Sequence, residues 1–197
     1  MRAVVVSSVS RKTPWASITT PNRVEYCERH GYTFVARHLP YDEAVADFAF
    51  IESLLSHADC VWCLDADALV TDLTLPLDAL PLARGMNVCE EGLGLPPPIN
   101  CGSVIWTSSD ESRHVLRLLR DAEPEWRRLT WIWQQWIGER LDWLRGLVTV
   151  HPSRSFNGCH HGDACQWSPG AYVYHPCGQG VAERMAALAA RLADVRR

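Results

Sequence analysis

Three short apolar or β-branched runs separated by two helical stretches fill the first 65 residues. No other feature of the chain constrains its fold as strongly. AVVVSSV (3–9) has the β-branched density of a strand. Pro21-Asn22 opens a helical stretch through Arg29, and His30-Gly31 closes it, the glycine suiting the left-handed position past a helix end. Tyr32–Arg37 predicts a second strand. Glu43–Ser56 predicts a helix with Ala46, Phe50, Leu54 and Leu55 on its apolar stripe. CVWCL (60–64) is a continuous apolar run, the pattern of a strand covered on both faces. A β-α-β-α-β order in so short a span predicts an α/β fold with a Rossmann-like, mostly parallel sheet flanked by helices.

After residue 65 the alternation breaks. Strands are expected at Met86–Val88 and Ser103–Trp106, joined through the Pro/Gly-rich LGLPPPIN (93–100). Helices are expected at Ser109–Leu119 and, rich in tryptophan, at Thr130–Leu144, followed by a short strand at Leu147–Val150. Residues 151–170 lack periodicity and carry Gly, His, Asn and Ser, the composition of a functional loop. Ala171–Tyr174 reads as a last strand and Val181–Val195 as a closing helix. Its stripe of Val181, Met185, Leu188, Leu192 and Val195 packs on its own domain or, failing that, on a second copy in a homodimer. Neither repeat nor linker divides the 197 residues, so a single domain is the simplest account.

Charge and cysteine content narrow the function classes. Nineteen basic residues against 23 acidic give a net charge of −4, which disfavours general binding to phosphate backbones. Lys12 is the single lysine. No apolar run reaches the roughly 18–20 residues that span a bilayer, and the start of the chain lacks the long apolar core of an export signal. A cytoplasmic protein without a membrane partner is therefore expected, and its eight cysteines are expected to be reduced. Cys60 and Cys63 have metal-ligand spacing, but on a strand they face opposite ways and read as packing residues.

The chemistry concentrates at Leu64-Asp65-Ala66-Asp67-Ala68, where two carboxylates follow a buried strand. In extended backbone the i, i+2 spacing aims both to one side, about 6–7 Å apart. Such a pair repels itself unless a hard cation bridges it, and open α/β sheets bind ligands beyond the carboxyl ends of their strands. Mn²⁺ or Mg²⁺ carried by a diphosphate is the natural occupant. His175, ending a strand before a turn that contains Gly178, can complete such a site, or is simply a surface histidine. Asn100-Cys-Gly102, ahead of an apolar strand, either presents an amide and bare backbone to a sugar or is merely a turn.

In their order and spacing these elements resemble GT-A glycosyltransferases, most closely the retaining galactosyl, mannosyl and xylosyl transferases of family 34. The resemblance is carried by Asn22-Arg23…Tyr26-Cys-Glu-Arg-His-Gly31-Tyr32, by Trp62-Cys-Leu-Asp65-Ala-Asp67, and by Asn100-Cys-Gly102-Ser. Gln135 within Trp133-Gln-Gln-Trp and Pro169-Gly170…His175-Pro-Cys-Gly178 complete it. It implies a nucleotide-binding half over about 1–72, an acceptor- and metal-closing half over about 73–180 and a C-terminal helix over 181–197. It also implies a metal held by Asp67 and His175, with Asp65 reaching the metal or the ribose. Asp65, Asp67 and Gln135 become the catalytic candidates. Ser7, Ser8, Lys12, Asp65, Asn100, Gly102 and Gly178 become the candidates around the donor. The implied reaction moves a sugar, with retention, from a nucleoside diphosphate sugar (a UDP-hexose on the family pattern) to an acceptor hydroxyl.

The chain departs from the family pattern in two places. Asp47-Phe-Ala-Phe-Ile-Glu-Ser replaces the usual Trp and Lys, and Gln134 stands where an acid usually precedes Gln135. Gln134 cannot be a nucleophile, which favours same-face attack with the leaving phosphate as base. Arg11, Lys12 or another arginine would add positive charge near that phosphate.

Cys159, His161 and Cys165 are zinc-ligating types at a spacing that matches no standard site, so 154–165 reads as a loop over the donor or towards the acceptor, with His160, His161 and Asp163 at its rim. Helical spacing assigns Trp131, Trp133, Trp136 and Trp143 to core packing rather than sugar stacking. A haloacid-dehalogenase phosphatase would need its D-x-D on the first strand and a downstream lysine, and none follows Lys12. The alternatives kept are a non-catalytic relative that binds nucleotide sugar or glycan, and a transferase acting on a modified nucleobase. The acceptor (glycan, protein, small molecule or modified base) is not legible.

Overall fold

The computed structural model describes residues 1–9, 13–38, 47–92, 94, 96–161 and 164–196. Arg11, Lys12, Ala46 and Asp163, and the start of the helix expected from Glu43, lie outside the described residues.

A six-stranded sheet is built from β1 (Ala3–Val9), β2 (Thr33–His38), β3 (Cys60–Leu64), β5 (Met86–Glu90), β6 (Ile99–Thr107) and β7 (Val148–His151), in the order β2-β1-β3-β6-β5-β7. β1 pairs parallel with both β2 and β3, and β5 pairs parallel with β7. β6 runs antiparallel to both neighbours, so the sheet is mixed. Helix α1 (Ala16–His30) joins β1 to β2, and α2 (Phe48–Leu54) precedes β3. Then follow α3 (Asp110–Asp121), α4 (Glu123–Trp126) and α5 (Ile132–Gly138) between β6 and β7, and α6 (Val181–Leu192) near the C-terminus.

Side-chain alternation sorts the core onto two faces. Val5, Trp62 and Ile105 point into a cluster with α1, whereas Val6, Val61, Val104 and Trp106 join α3 and α4 on the other side. Cys60 and Cys63 divide between these faces as their spacing requires, and all eight cysteines are free thiols.

A second, four-stranded sheet has the order β4-β10-β8-β9, from β4 (Leu69–Val70), β8 (Gly158–His161), β9 (Ala164–Cys165) and β10 (Val173–His175). Two of these strands, β8 and β9, lie in the segment expected to be loop, whereas β10 falls on the last strand expected at Ala171–Tyr174. β10 runs antiparallel to β4, with Val173 opposite Val70 and Tyr174 opposite Leu69. Continuing that register by one residue brings His175 level with Ala68, beside Asp67. The small sheet is thus what carries a residue 108 positions downstream to the end of β3.

Three elements differ from expectation. α1 starts at Ala16, not Pro21, because Trp15 and Thr19 are anchored in the core and Thr19 donates its hydroxyl to the Ala66 carbonyl at 2.6 Å. The tryptophan-rich helix is short: α5 buries Trp136, while Trp131 and Trp143 are 53% and 62% exposed. In α6 the apolar stripe packs on its own chain through Leu188, with Met185 and Leu192 beside it, and Val181 is left outside. No helix among the described residues is long and apolar enough to cross a membrane.

Candidate active site

Asp65 and Asp67 sit in a tight turn rather than extended backbone: the Ala68 N–H donates to the Asp65 carbonyl at 2.9 Å. Three groups hold this turn. The Asp65 N–H donates to the Gly102 carbonyl on β6 at 2.8 Å. Asn22 on α1 exchanges two 2.9 Å hydrogen bonds with the backbone of Val70. Arg23, fully buried, donates to the carbonyls of Asp65 and Ala68 and to the Ser7 hydroxyl. Burial pulls the Arg23 pKa down to about 10, with Asp67 and Asp65 pulling it back, so the guanidinium is a cation at neutral pH.

The turn brings the two carboxylates and His175 together, with ligand atoms all within 4.8 Å of one another. His175 Nε2 lies 3.4 Å from Asp67 Oδ1 and 3.7 Å from Asp65 Oδ2. Burial alone would lower the His175 pKa, but Asp67 outweighs it and pushes it up to about 9. Asp67 is itself buried, yet His175 and Arg184 hold it below the ordinary carboxylate range. Asp65 lies under the same opposing influences, His175 favouring its charge and Asp67 opposing it. With 60% of its side chain open to the cleft, it is the member of the trio that water and ligands reach.

A hydrogen-bonded chain sets the orientation of the imidazole. His175 Nδ1 lies 3.1 Å from Asn157 Oδ1, and the Asn157 amide donates to Asn100 Oδ1 at 2.8 Å. Asn100 Oδ1 also accepts the Gly102 N–H at 2.9 Å, and the Asn100 amide donates to Glu91 at 2.8 Å. An acceptor at Nδ1 keeps the proton there and leaves Nε2 facing the aspartates, the arrangement in which a histidine ligates a metal. Two carboxylates and one such nitrogen form a donor set that fits a hard or borderline divalent cation.

The trio opens into a cleft of about 780 Å³. Ser8, Asn100, Cys177, Gly178 and Arg184 line it near the trio, and Phe48, Phe50, Trp131, Trp133 and Arg127 line it further out. Arg184 on α6 lies 2.9 Å from Asp67 Oδ2, with its guanidinium over the Trp15 ring at 4.4 Å and its Nε buried without a partner among the described residues. Asp47 caps α2 by accepting from the Phe50 N–H at 3.0 Å and pairs with Arg37.

Not every expected residue reaches the cleft. Gln135 does not line it: its amide spans the helix surface, donating to Glu139 at 2.7 Å. The neighbouring Gln134 lines it instead and accepts the Cys101 N–H at 2.7 Å, because α5 turns that face towards β6. Ser7 is buried beneath the cleft as a partner of Arg23, and Ser8 lines the wall. Asn100 borders the cleft, but its amide is committed to Glu91 and Asn157. Gly102 leaves open the space that the His175 ring fills. Trp131 forms cleft wall, whereas Trp133 packs against the core beside Phe48 and also lines the cleft. Cys165 is exposed and apart from Cys159, its Sγ 3.6 Å from the Trp167 carbonyl. Asn157, Glu91 and the pairing of Arg184 with Asp67 had no signal in the sequence, because each depends on contacts between distant segments.

Residues 4–85, from β1 through the D-x-D turn and beyond, match the galactosyl transferase GMA12/MNN10 family. No curated protein matches the chain by sequence. Among solved structures, a glycosyltransferase involved in the glycosylation of the major capsid of PBCV-1 aligns at a TM-score of 0.74 and 18% identity, covering 96% of this chain and all of that one. An active-site mutant of LgtC aligns at 0.53 and 13% identity, covering 95% of each chain. GlyE, a glycosyltransferase of Streptococcus pneumoniae TIGR4, aligns at 0.53 and 16% identity, covering 78% of this chain and 46% of GlyE. The fold over the whole chain is thus similar to that of these glycosyltransferases, and the family match is confined to its first part, which holds the D-x-D turn.

Proposed function

We propose that this chain transfers a sugar from a nucleoside diphosphate sugar, a UDP-hexose on the family pattern, to an acceptor hydroxyl, with retention and with Mn²⁺ or Mg²⁺ at Asp65, Asp67 and His175. The observation that carries the proposal is the convergence of these three side chains at the mouth of the cleft. A divalent ion bound there supplies positive charge against the charge that develops on the departing diphosphate. The chain's own residues do the rest. Asn157 holds the proton on His175 Nδ1, so that Nε2 stays aimed at the carboxylates. Arg23 fixes the turn backbone, so both aspartates are preorganised. Arg184 places a second cation beside Asp67, where it can meet the diphosphate, the part the sequence reading gave to an arginine or to Lys12.

For a retaining transfer, the carboxylates present favour a route without a covalent intermediate. Among the described residues lining the cleft, Asp65 and Asp67 face His175 and Asp47 is paired with Arg37, while Gln134 offers only an amide. No carboxylate among them is left over to act as a nucleophile, which supports attack from the face the diphosphate leaves, with its oxygen taking the acceptor proton. Ser8, Asn100 and Gly178 are read as donor contacts, and the wall of Phe50, Trp131 and Trp133 as the surface for the sugar or acceptor.

A screen of nucleoside diphosphate sugars, read as release of nucleoside diphosphate with Mn²⁺ and with chelator, tests this reading. Mn²⁺-dependent turnover of one donor is the expected result. Binding of a donor with no turnover under any condition would favour the non-catalytic relative instead.

A further inference from the structure

His175 has a second set of neighbours besides the carboxylates. The parallel pairing of β10 with β8 sets His175 beside Cys159. The Cys177 N–H then donates to the His175 carbonyl at 3.0 Å, in a turn that folds Cys177 back towards the strand end. The two sulfurs and an imidazole nitrogen all lie within 4.8 Å of one another. Cys159 is buried, Cys177 is partly exposed and lines the cleft, and both are free thiols. The cluster differs from Cys159, His161 and Cys165, whose spacing matched no standard site.

The geometry points to a second metal site, formed by Cys159, His175 and Cys177, that takes a thiophilic divalent cation such as Zn²⁺ and competes with the carboxylate site for His175. Two thiolates and an imidazole are the donors that select Zn²⁺ and Cd²⁺, whereas carboxylates suit Mn²⁺ and Mg²⁺. With bonds of roughly 2.3 Å to sulfur and 2.0 Å to nitrogen, tetrahedral ligand atoms stand about 3.3–3.8 Å apart, so binding draws the three side chains together. Binding replaces two S–H bonds with two S–metal bonds and releases both protons to solvent. Water from the cleft that Cys177 lines would complete the four ligands.

The competition follows from the nitrogen count of one ring. His175 Nε2 is aimed at the aspartates and Nδ1 is held by Asn157. Recruiting either nitrogen to the thiolates dismantles the arrangement that serves Asp65 and Asp67. Zn²⁺ would therefore inhibit by capturing a ligand rather than by occupying the donor site. Existence of the thiophilic site is independent of the function proposed above; the inhibition rests on it.

The test is a titration of the reduced, metal-free protein with Cd²⁺, followed by sulfur-to-metal charge-transfer absorption in the ultraviolet. One equivalent should give the band, with affinity at least tenfold weaker in Cys177→Ser and in His175→Ala and unchanged in Cys165→Ser. Cys177→Ser is preferred to a change at buried Cys159 because its partly exposed side chain tolerates substitution, and circular dichroism checks its fold. No band with thiols intact, or a band indifferent to Cys177→Ser, overturns the site. In the same titration, Mn²⁺ bound by the wild type should be released as Cd²⁺ loads; Mn²⁺ that stays bound overturns the competition. A protein that takes Cd²⁺ through these residues but never binds Mn²⁺ supports the thiophilic site and contradicts the carboxylate reading.

Discussion

Gly102 has no side chain because His175 occupies that space: a β-carbon at Gly102 would lie 2.0 Å from the imidazole Cε1 and 2.3 Å from Nδ1. The requirement is steric rather than conformational. Gly102→Ala must displace the ring from Asp67 and from Asn157. Mn²⁺ affinity should fall about 10- to 100-fold, the range for disturbing the support of a metal ligand, while the protein stays folded. Calorimetric Mn²⁺ titration checks this, and affinity within twofold of wild type would contradict the assignment.

Arg23 should be worth more to stability than any surface charge. It is buried and ties α1 to the carbonyls of Asp65 and Ala68. Arg23→Met leaves those carbonyls without a charged donor, and on the order of 3 kcal/mol should be lost in urea unfolding. Arg23→Lys, a point charge that cannot span all of its oxygen partners, should fall between the two. A loss under about 0.5 kcal/mol for the methionine variant, the level of a surface substitution, would contradict the clamp.

The glutamine pair separates what the chain pattern implied from what the structure places. Gln135→Ala should leave nucleoside diphosphate release within about twofold, since its amide contacts only the helix surface. Gln134→Ala frees the Cys101 N–H at the cleft wall and should lower turnover about tenfold, the equivalent of roughly 1.4 kcal/mol. Steady-state kinetics on both variants decides, and the reverse order would restore Gln135 as the residue that matters.

His151 gives the fold a pH dependence away from the site. Its Nε2 lies 3.0 Å from Asn87 Oδ1, an oxygen that already accepts the Ala83 N–H, so Nε2 carries the proton, and the ring packs edge-on against Phe156. Burial lowers its pKa in the fold. Below about pH 6.5 the unfolded chain therefore binds the extra proton first, and stability falls as the pH drops from there towards the folded pKa. Melting curves of wild type and His151→Gln between pH 7 and 5 should show a shallower decline in the variant; parallel curves would contradict the assignment.

What the sequence made legible was local. Five apolar residues running into Asp65-Ala66-Asp67 marked the central strand and its ligand end, since burial pattern and chemistry sit in one short segment. Gly31, in the left-handed conformation at φ 68°, closed α1 where expected. The start of α1 was misplaced because Pro21 suits a first helical turn, yet the anchors that extend the helix back to Ala16 are tertiary. Of the small sheet only β10 was expected, because the other strands are two to four residues long, too short to show a periodicity. The route from Glu91 through Asn100 and Asn157 to His175 was invisible because Asn100 and Asn157 are 57 positions apart, and only the packed sheets bring them together.

The most direct test is an electron paramagnetic resonance titration of Mn²⁺ into wild type, Asp67→Asn and His175→Ala with nucleoside diphosphate present. Saturable one-to-one binding in the wild type, weakened at least tenfold in both variants, is the predicted result. Equal binding by all three proteins would place the ion elsewhere and contradict the site described here.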